Sequence, residues 1–152
     1  MATRQIDVLR PALSATLLTC LLMGCGHAPN IVTTLVLDGQ NRTITTDQVV
    51  CTNQADGKLL IFVDGGRTQT IRVLLDRRAR LVVERAGLRY QDLAGFVADP
   101  NEVVATKVDD TYRFSGRMPP KAGELQWHAF EIETTCPSYQ DPPAPPSPGP
   151  YT

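Results

Sequence analysis

From Leu35 onward, apolar and polar residues alternate in short runs cut by Gly, Asn and Asp. That pattern marks strands with one buried face. Leu35-Val36-Leu37 ends at Asp38-Gly39, and Thr43 to Cys51 alternates with Ile44, Thr46 and Val50 on one face. Lys58-Leu59-Leu60-Ile61-Phe62-Val63 is apolar after its first residue, which predicts a central strand covered on both faces. Asp64-Gly65-Gly66 is the strongest hairpin signal, since Gly accepts the positive φ that tight turns require. The return strand, Thr70 to Leu75, puts Ile71, Val73 and Leu75 on one side. Leu81–Glu84 and Leu88–Leu93 follow as separate runs split at Ala86-Gly87, with room for one short helix across Leu88–Phe96. Val103–Thr106 meets Thr111–Gly116 across Asp109-Asp110, with Tyr112 and Phe114 inward. In the last run, Leu125, Trp127 and Ala129 are in one phase and Phe130, Ile132, Thr134 and Cys136 in the other, a slip that a β-bulge would absorb. The expected fold is mainly β, an antiparallel sandwich or strongly curved sheet spanning residues 35–136.

The first residues follow another rule. Arg4 and Arg10 precede an uncharged stretch from Pro11 to Gly24, too short to span a bilayer as a helix. It closes on Leu22-Met23-Gly24-Cys25, which resembles the bacterial lipobox. Residues 1–24 are therefore expected to be a lipoprotein signal peptide. The Cys25 thiol would take a diacylglyceryl group, and the amine freed by cleavage would take a further acyl chain such as palmitate. Two or more chains hold a protein on a membrane, where one holds it marginally. Residues 25–34 read as the lipidated N-terminus and a short tether, and residues 137–152 as a disordered Pro-rich tail.

Cysteine usage agrees with export. Of four Cys, Cys20 falls in the removed segment and Cys25 carries lipid. Cys51 and Cys136 then have one possible pairing in an oxidising compartment. The formal net charge of −1 predicts no nucleic-acid footprint. The basic run Asp76-Arg77-Arg78-Ala79-Arg80 reads as a solvated turn.

A catalytic constellation is not legible. His128 is the one His within residues 35–136 and is expected at the surface, so no metal site can be built from usual ligands. Ser115 sits in no nucleophile elbow, and Gly65-Gly66 lacks the Lys and helix of a phosphate loop. Asp109-Asp110 needs no explanation beyond a turn. No enzyme, cofactor or metal is expected, apart from the covalent lipid on Cys25.

With the lipobox Cys in place, three segments carry a resemblance: Val36-Leu37-Asp38-Gly39 leading to Val49-Val50-Cys51-Thr52, Val108 to Gly116, and Ala129 to Cys136. Their order and the two Cys resemble the mycobacterial 19 kDa lipoprotein antigen family. The resemblance implies a disulfide-bonded, extracytoplasmic lipoprotein held at the cell membrane or outer envelope. It also implies a surface antigen whose acylated N-terminus is seen by host innate receptors. The chain departs from the family in lacking a long Ser/Thr/Ala-rich glycosylated stalk, although Thr33 and Thr34 remain, and in carrying the Pro-rich tail.

The expected function is that of a non-enzymatic envelope lipoprotein, with membrane lipid as partner through the anchor. Two readings stay open for the domain. It binds a lipid or another envelope component, with Phe62, Trp127 and Phe130 lining an apolar site. Alternatively those residues are core, and the protein is structural or antigenic with no ligand.

Overall fold

The computed structural model describes residues 29–142 and residue 144. The signal segment, Cys25 and the rest of the Pro-rich tail lie outside the described residues. Among the described residues there are strands and turns and no helix. Leu88–Phe96, where a short helix had room, is strand, turn and strand.

One sheet has five strands, in spatial order β2 (Gln40–Thr46), β1 (Ile31–Leu37), β10 (His128–Thr135), β9 (Thr111–Met118) and β8 (Val103–Val108). The other has six: β11 (Tyr139–Gln140), β3 (Val49–Asn53), β4 (Lys58–Asp64), β5 (Gln69–Asp76), β6 (Val82–Tyr90) and β7 (Leu93–Val97). All neighbours are antiparallel except β11, which runs parallel to β3. The two sheets pack as an open sandwich, as the alternation predicts.

Inward positions fill the space between the sheets. Leu35, Ile44, Leu59, Ile61, Val63, Ile71, Val73, Leu75, Tyr112, Phe114 and Ile132 are buried almost completely. Each comes from the face its strand's period of two selects. One polar pair sits among them: Thr33 and Thr134 share a hydrogen bond of 2.8 Å. Thr33 is therefore closed to modification, and β1 begins at Ile31, earlier than Leu35. A polar inward residue hides the start of that strand from a hydropathy pattern.

Other boundaries differ for equally local reasons. Thr43 to Cys51 is two strands in different sheets, not one. The chain leaves β2 at Asp47-Gln48 and re-enters the opposite sheet, so Val50 faces outward while Ile44 and Thr46 face in. Thr46 Oγ1 donates to Asp64 O at 2.7 Å, tying that corner to the β4–β5 hairpin. The hairpin closes over four residues, 65–68, more than the tight turn the glycines suggest, with Gly66 at φ +101° and its carbonyl accepting from the Gln69 N–H. A Cβ on Gly65 would stand 2.6 Å from Ile44 Cγ2, so the close approach itself excludes a side chain. The phase slip near Trp127 is no bulge: residues 119–127 are a loop, and β10 starts at His128 in even register with β9. The bulge lies elsewhere, in β6 opposite Leu74 and Leu75, where Arg85 and Val83 are their partners and Glu84 is the extra residue. Gly87 does not split a strand either; β6 runs through it.

Cys51 and Cys136 form a disulfide across the two sheets, with 5.8 Å between their Cα atoms. Beyond it the chain keeps its order. Tyr139 pairs with Cys51, and Gln140 with Thr52. The Tyr139 hydroxyl donates to Asp110 Oδ1 at 2.9 Å and lies 3.2 Å from the hydroxyl of buried Tyr112. Burial, with these two partners, raises the Tyr139 pKa well above its ordinary value. The folded unit thus reaches past Cys136. Removing residues 139–152 leaves the Tyr112 hydroxyl unpaired and should cost about 1–3 kcal/mol. Removing residues 143–152 should leave stability unchanged, since a Pro-rich stretch supplies few ladder donors. Thermal melts of the two truncations check both.

Candidate functional site

Phe62, Trp127 and Phe130 lie in three separate places. Phe130 is in the core between the sheets, 4% exposed. Trp127 belongs to the loop before β10, with the Arg117 guanidinium carbon 4.8 Å from its ring centre. Phe62 is half-buried on the outer face of β4. The strand expected to be covered on both faces is covered on one. Its other face, with Leu60 and Phe62, looks away from the sandwich.

That outer face is where an open site forms. Strand register places two rows of outward side chains across it. One row runs Val50, Phe62, Arg72, Gly87 and Phe96; the next runs Thr52, Leu60, Leu74 and Arg85. A cavity of about 490 Å³ opens here, lined by Leu60, Leu74, Gly87 and Phe96 together with Arg72 and Arg85. Its size falls in the roughly 300–1,000 Å³ range of small-molecule sites. Phe96 is 54% exposed, and with the half-buried Leu60 and Leu74 it supplies the apolar lining. Gly87 contributes to the space by having no side chain. A Cβ built there would meet Phe96 Cδ2 at 3.8 Å and the Arg72 carbonyl oxygen at 3.9 Å, ordinary contacts. A larger residue would fit the backbone and fill the cavity.

The two outer faces differ in how their charges are matched. On the five-stranded sheet, Arg113 pairs with Glu133 and also lies 3.5 Å from Glu131, while Arg117 pairs with Glu102. Those arginines and Glu102 have pKa values displaced toward the charged form, first by the hydrogen bonds they share. On the six-stranded sheet, Arg72, Arg85 and Arg89 are exposed and make no ion pair among the described residues. The nearby acidic Glu84 is already engaged by Lys58 at 3.1 Å. In the basic turn, Asp76 pairs with Arg78, whose guanidinium and backbone N–H hold the Asp76 carboxyl down at about 2, while Arg77 donates to Asn53 Oδ1 at 2.8 Å and Arg80 makes no ion pair among the described residues.

His128 is not simply a surface residue. Its side chain is largely covered, with Nδ1 2.8 Å from Asp38 Oδ2 and Nε2 2.9 Å from Glu124 Oε2. The other Asp38 oxygen accepts the Ala129 N–H at 2.9 Å. Asp38 reaches both because the β1–β2 turn holds Asp38 and Gly39 at positive φ, the geometry of a two-residue hairpin. With both ring nitrogens facing carboxylates, the doubly protonated imidazole satisfies the site best. The hydrogen bond to Asp38, then that to Glu124, raises the His128 pKa from its usual 6.5. A raised folded-state pKa gives stability that is fully present below about 6.5 and is lost as pH rises through the higher folded value. Denaturant melts of His128→Gln and the parent chain should therefore differ most at mildly acidic pH and converge as pH rises.

Among the described residues, no group of three or more His, Cys, Asp and Glu could hold a metal ion. Sequence reasoning missed the groove residues Leu74, Gly87 and Phe96, whereas Leu60 lies in the apolar run Leu59–Val63 that it offers as a pocket lining with Trp127 and Phe130. The available signal was the apolar run of β4, which leaves one apolar face over when no third layer covers it. No curated protein matches the chain. The family model described as Mycobacterium 19 kDa lipoprotein antigen matches residues 26–136.

Proposed function

The chain belongs to the Mycobacterium 19 kDa lipoprotein antigen family, and from that membership we propose that it is a lipid-anchored envelope lipoprotein whose β-sandwich does no covalent chemistry. The observation that carries this reading is the position of Leu22-Met23-Gly24-Cys25: the matched domain begins at residue 26, directly after the proposed acylated Cys. Acylation at Cys25 would place the sandwich outside the cytoplasm, where a Cys51–Cys136 disulfide is stable. With β1 starting at Ile31, a tether of a few residues would hold it close to the membrane.

The side-chain chemistry is in keeping with a non-enzymatic role. The His best placed to act as a base, His128, has both nitrogens engaged by carboxylates and none free for a substrate. The remaining charged pairs are cross-strand or turn contacts at the surface.

Cys25→Ser should abolish fatty-acid labelling and shift the protein from the membrane to the soluble fraction. Metabolic labelling with an alkynyl fatty acid, followed by fractionation, checks both. Persistent labelling or membrane association of the variant would overturn the anchor assignment.

A further inference from the structure

We propose that the outer face of the six-stranded sheet binds a single anionic lipid, its acyl portion against Leu60, Leu74 and Phe96 and its carboxylate or phosphate held by Arg72 and Arg85. This deepens the reading of an envelope-anchored, non-enzymatic domain by naming what the domain takes up and where.

Three observations converge. The first is the cavity of about 490 Å³, open on a face that keeps large apolar side chains outward. The second is the contrast in charge. Outward arginines of the other sheet are neutralised by cross-strand carboxylates, whereas Arg72 and Arg85 have no acidic partner among the described residues. A guanidinium left free beside an apolar surface is complementary to an anionic head joined to a chain, and its fork matches carboxylate and phosphate oxygens. The third is Gly87. A glycine within a strand weakens it and often marks close approach by another molecule. Here its missing side chain keeps the floor between Arg72 and Phe96 open.

The same geometry disfavours a peptide. The cavity floor is β4, β5 and β6, each hydrogen-bonded on both sides, with Phe96 of the edge strand β7 at its rim, so a strand added at the free β7 edge would lie beside the cavity and not over it. Recognition must come through side chains, and these supply apolar surface and positive charge.

The test uses the whole mature chain from residue 25 with Cys25→Ser, so the protein's own acyl group cannot occupy the site. A dansyl-labelled fatty acid with a free carboxylate is titrated in, beside its uncharged methyl ester. Binding in the micromolar range is expected, weaker by roughly tenfold for the ester. Arg72→Glu combined with Arg85→Glu, both at exposed positions, should weaken the acid by at least about tenfold. Gly87→Val should weaken acid and ester alike by filling the cavity, and Trp127→Ala should change neither. Thermal melts establish that each variant is folded; if Gly87→Val does not fold, the arginine pair and the ester still decide.

A parent chain that takes up no probe overturns the proposal, as does uptake indifferent to the arginine and glycine substitutions. Binding to phosphatidylglycerol vesicles without uptake of the monomeric probe also overturns it, and would make the face a membrane-contact surface. Dimerisation through this face, lost with Gly87→Val, would instead assign it to a second copy. None of these results bears on Cys25, whose acylation is read by labelling alone.

Discussion

Phe130→Ala is expected to lower stability by about 3–5 kcal/mol, the cost of emptying a large aromatic site in a closed core. Phe130 lies on β10, the middle strand of the five-stranded sheet, opposite Leu37 on one side and Gly116 on the other. The neighbouring strand has little freedom to collapse into the void. A Cβ at Gly116 would already lie 2.4 Å from the Glu102 carbonyl oxygen. Phe62→Ala should cost less, about 1–2 kcal/mol, because the ring is half-buried on an outward face. Trp127→Ala should cost about 1 kcal/mol or less, mainly the loss of the Arg117 contact. Urea melts of the three variants give the ordering, and a Phe62 cost equal to that of Phe130 would contradict these placements.

The second large effect is expected from the disulfide. Replacing Cys51 and Cys136 together by Ala should remove about 4–5 kcal/mol, because the bridge closes a loop spanning 85 positions in the unfolded chain. That is a large share of the roughly 5–15 kcal/mol that typically separates folded from unfolded domains. The bridge also joins the two layers directly, Cys51 from the six-stranded sheet and Cys136 from the end of β10. Equilibrium unfolding in guanidinium, with and without reductant, measures it. The parent should fall to the stability of the double variant on reduction, and the variant should not respond.

The sandwich was legible because most inward positions are apolar at a period of two, as at Ile71, Val73 and Leu75 or at Tyr112 and Phe114. What the pattern could not show were places where the backbone changes partner without a change in hydropathy. Asp47-Gln48 moves the chain from one sheet to the other inside an apparently continuous alternation. The apparent slip before Phe130 is a loop whose Leu125 and Trp127 happen to sit at strand-like spacing. Thr33 reads as tether and not as strand because its inward hydroxyl is satisfied by Thr134, a partner about a hundred positions away. The open outer face is hidden in the sequence for a related reason. An all-apolar strand is equally consistent with a second covering layer and with an exposed apolar face, and only assembly distinguishes them. Phe62 was therefore singled out with Trp127 and Phe130, although the side chains that share its face are Arg72, Leu60, Leu74 and Phe96.

The two residues of β11 cover the outer edge of β3, a strand that otherwise presents bare backbone donors and acceptors next to the most apolar strand of the molecule. An open edge of that kind is a template for another chain's strand. Besides losing the Tyr139 contacts, a chain cut before Tyr139 should therefore gain a tendency to self-associate edge to edge. Concentration-dependent oligomers by light scattering would reveal it, and a Pro placed in β3 at an outward-facing N–H should suppress them. In that sense the short parallel strand is a guard on solubility as well as a clasp, protecting the domain from pairing with its own copies.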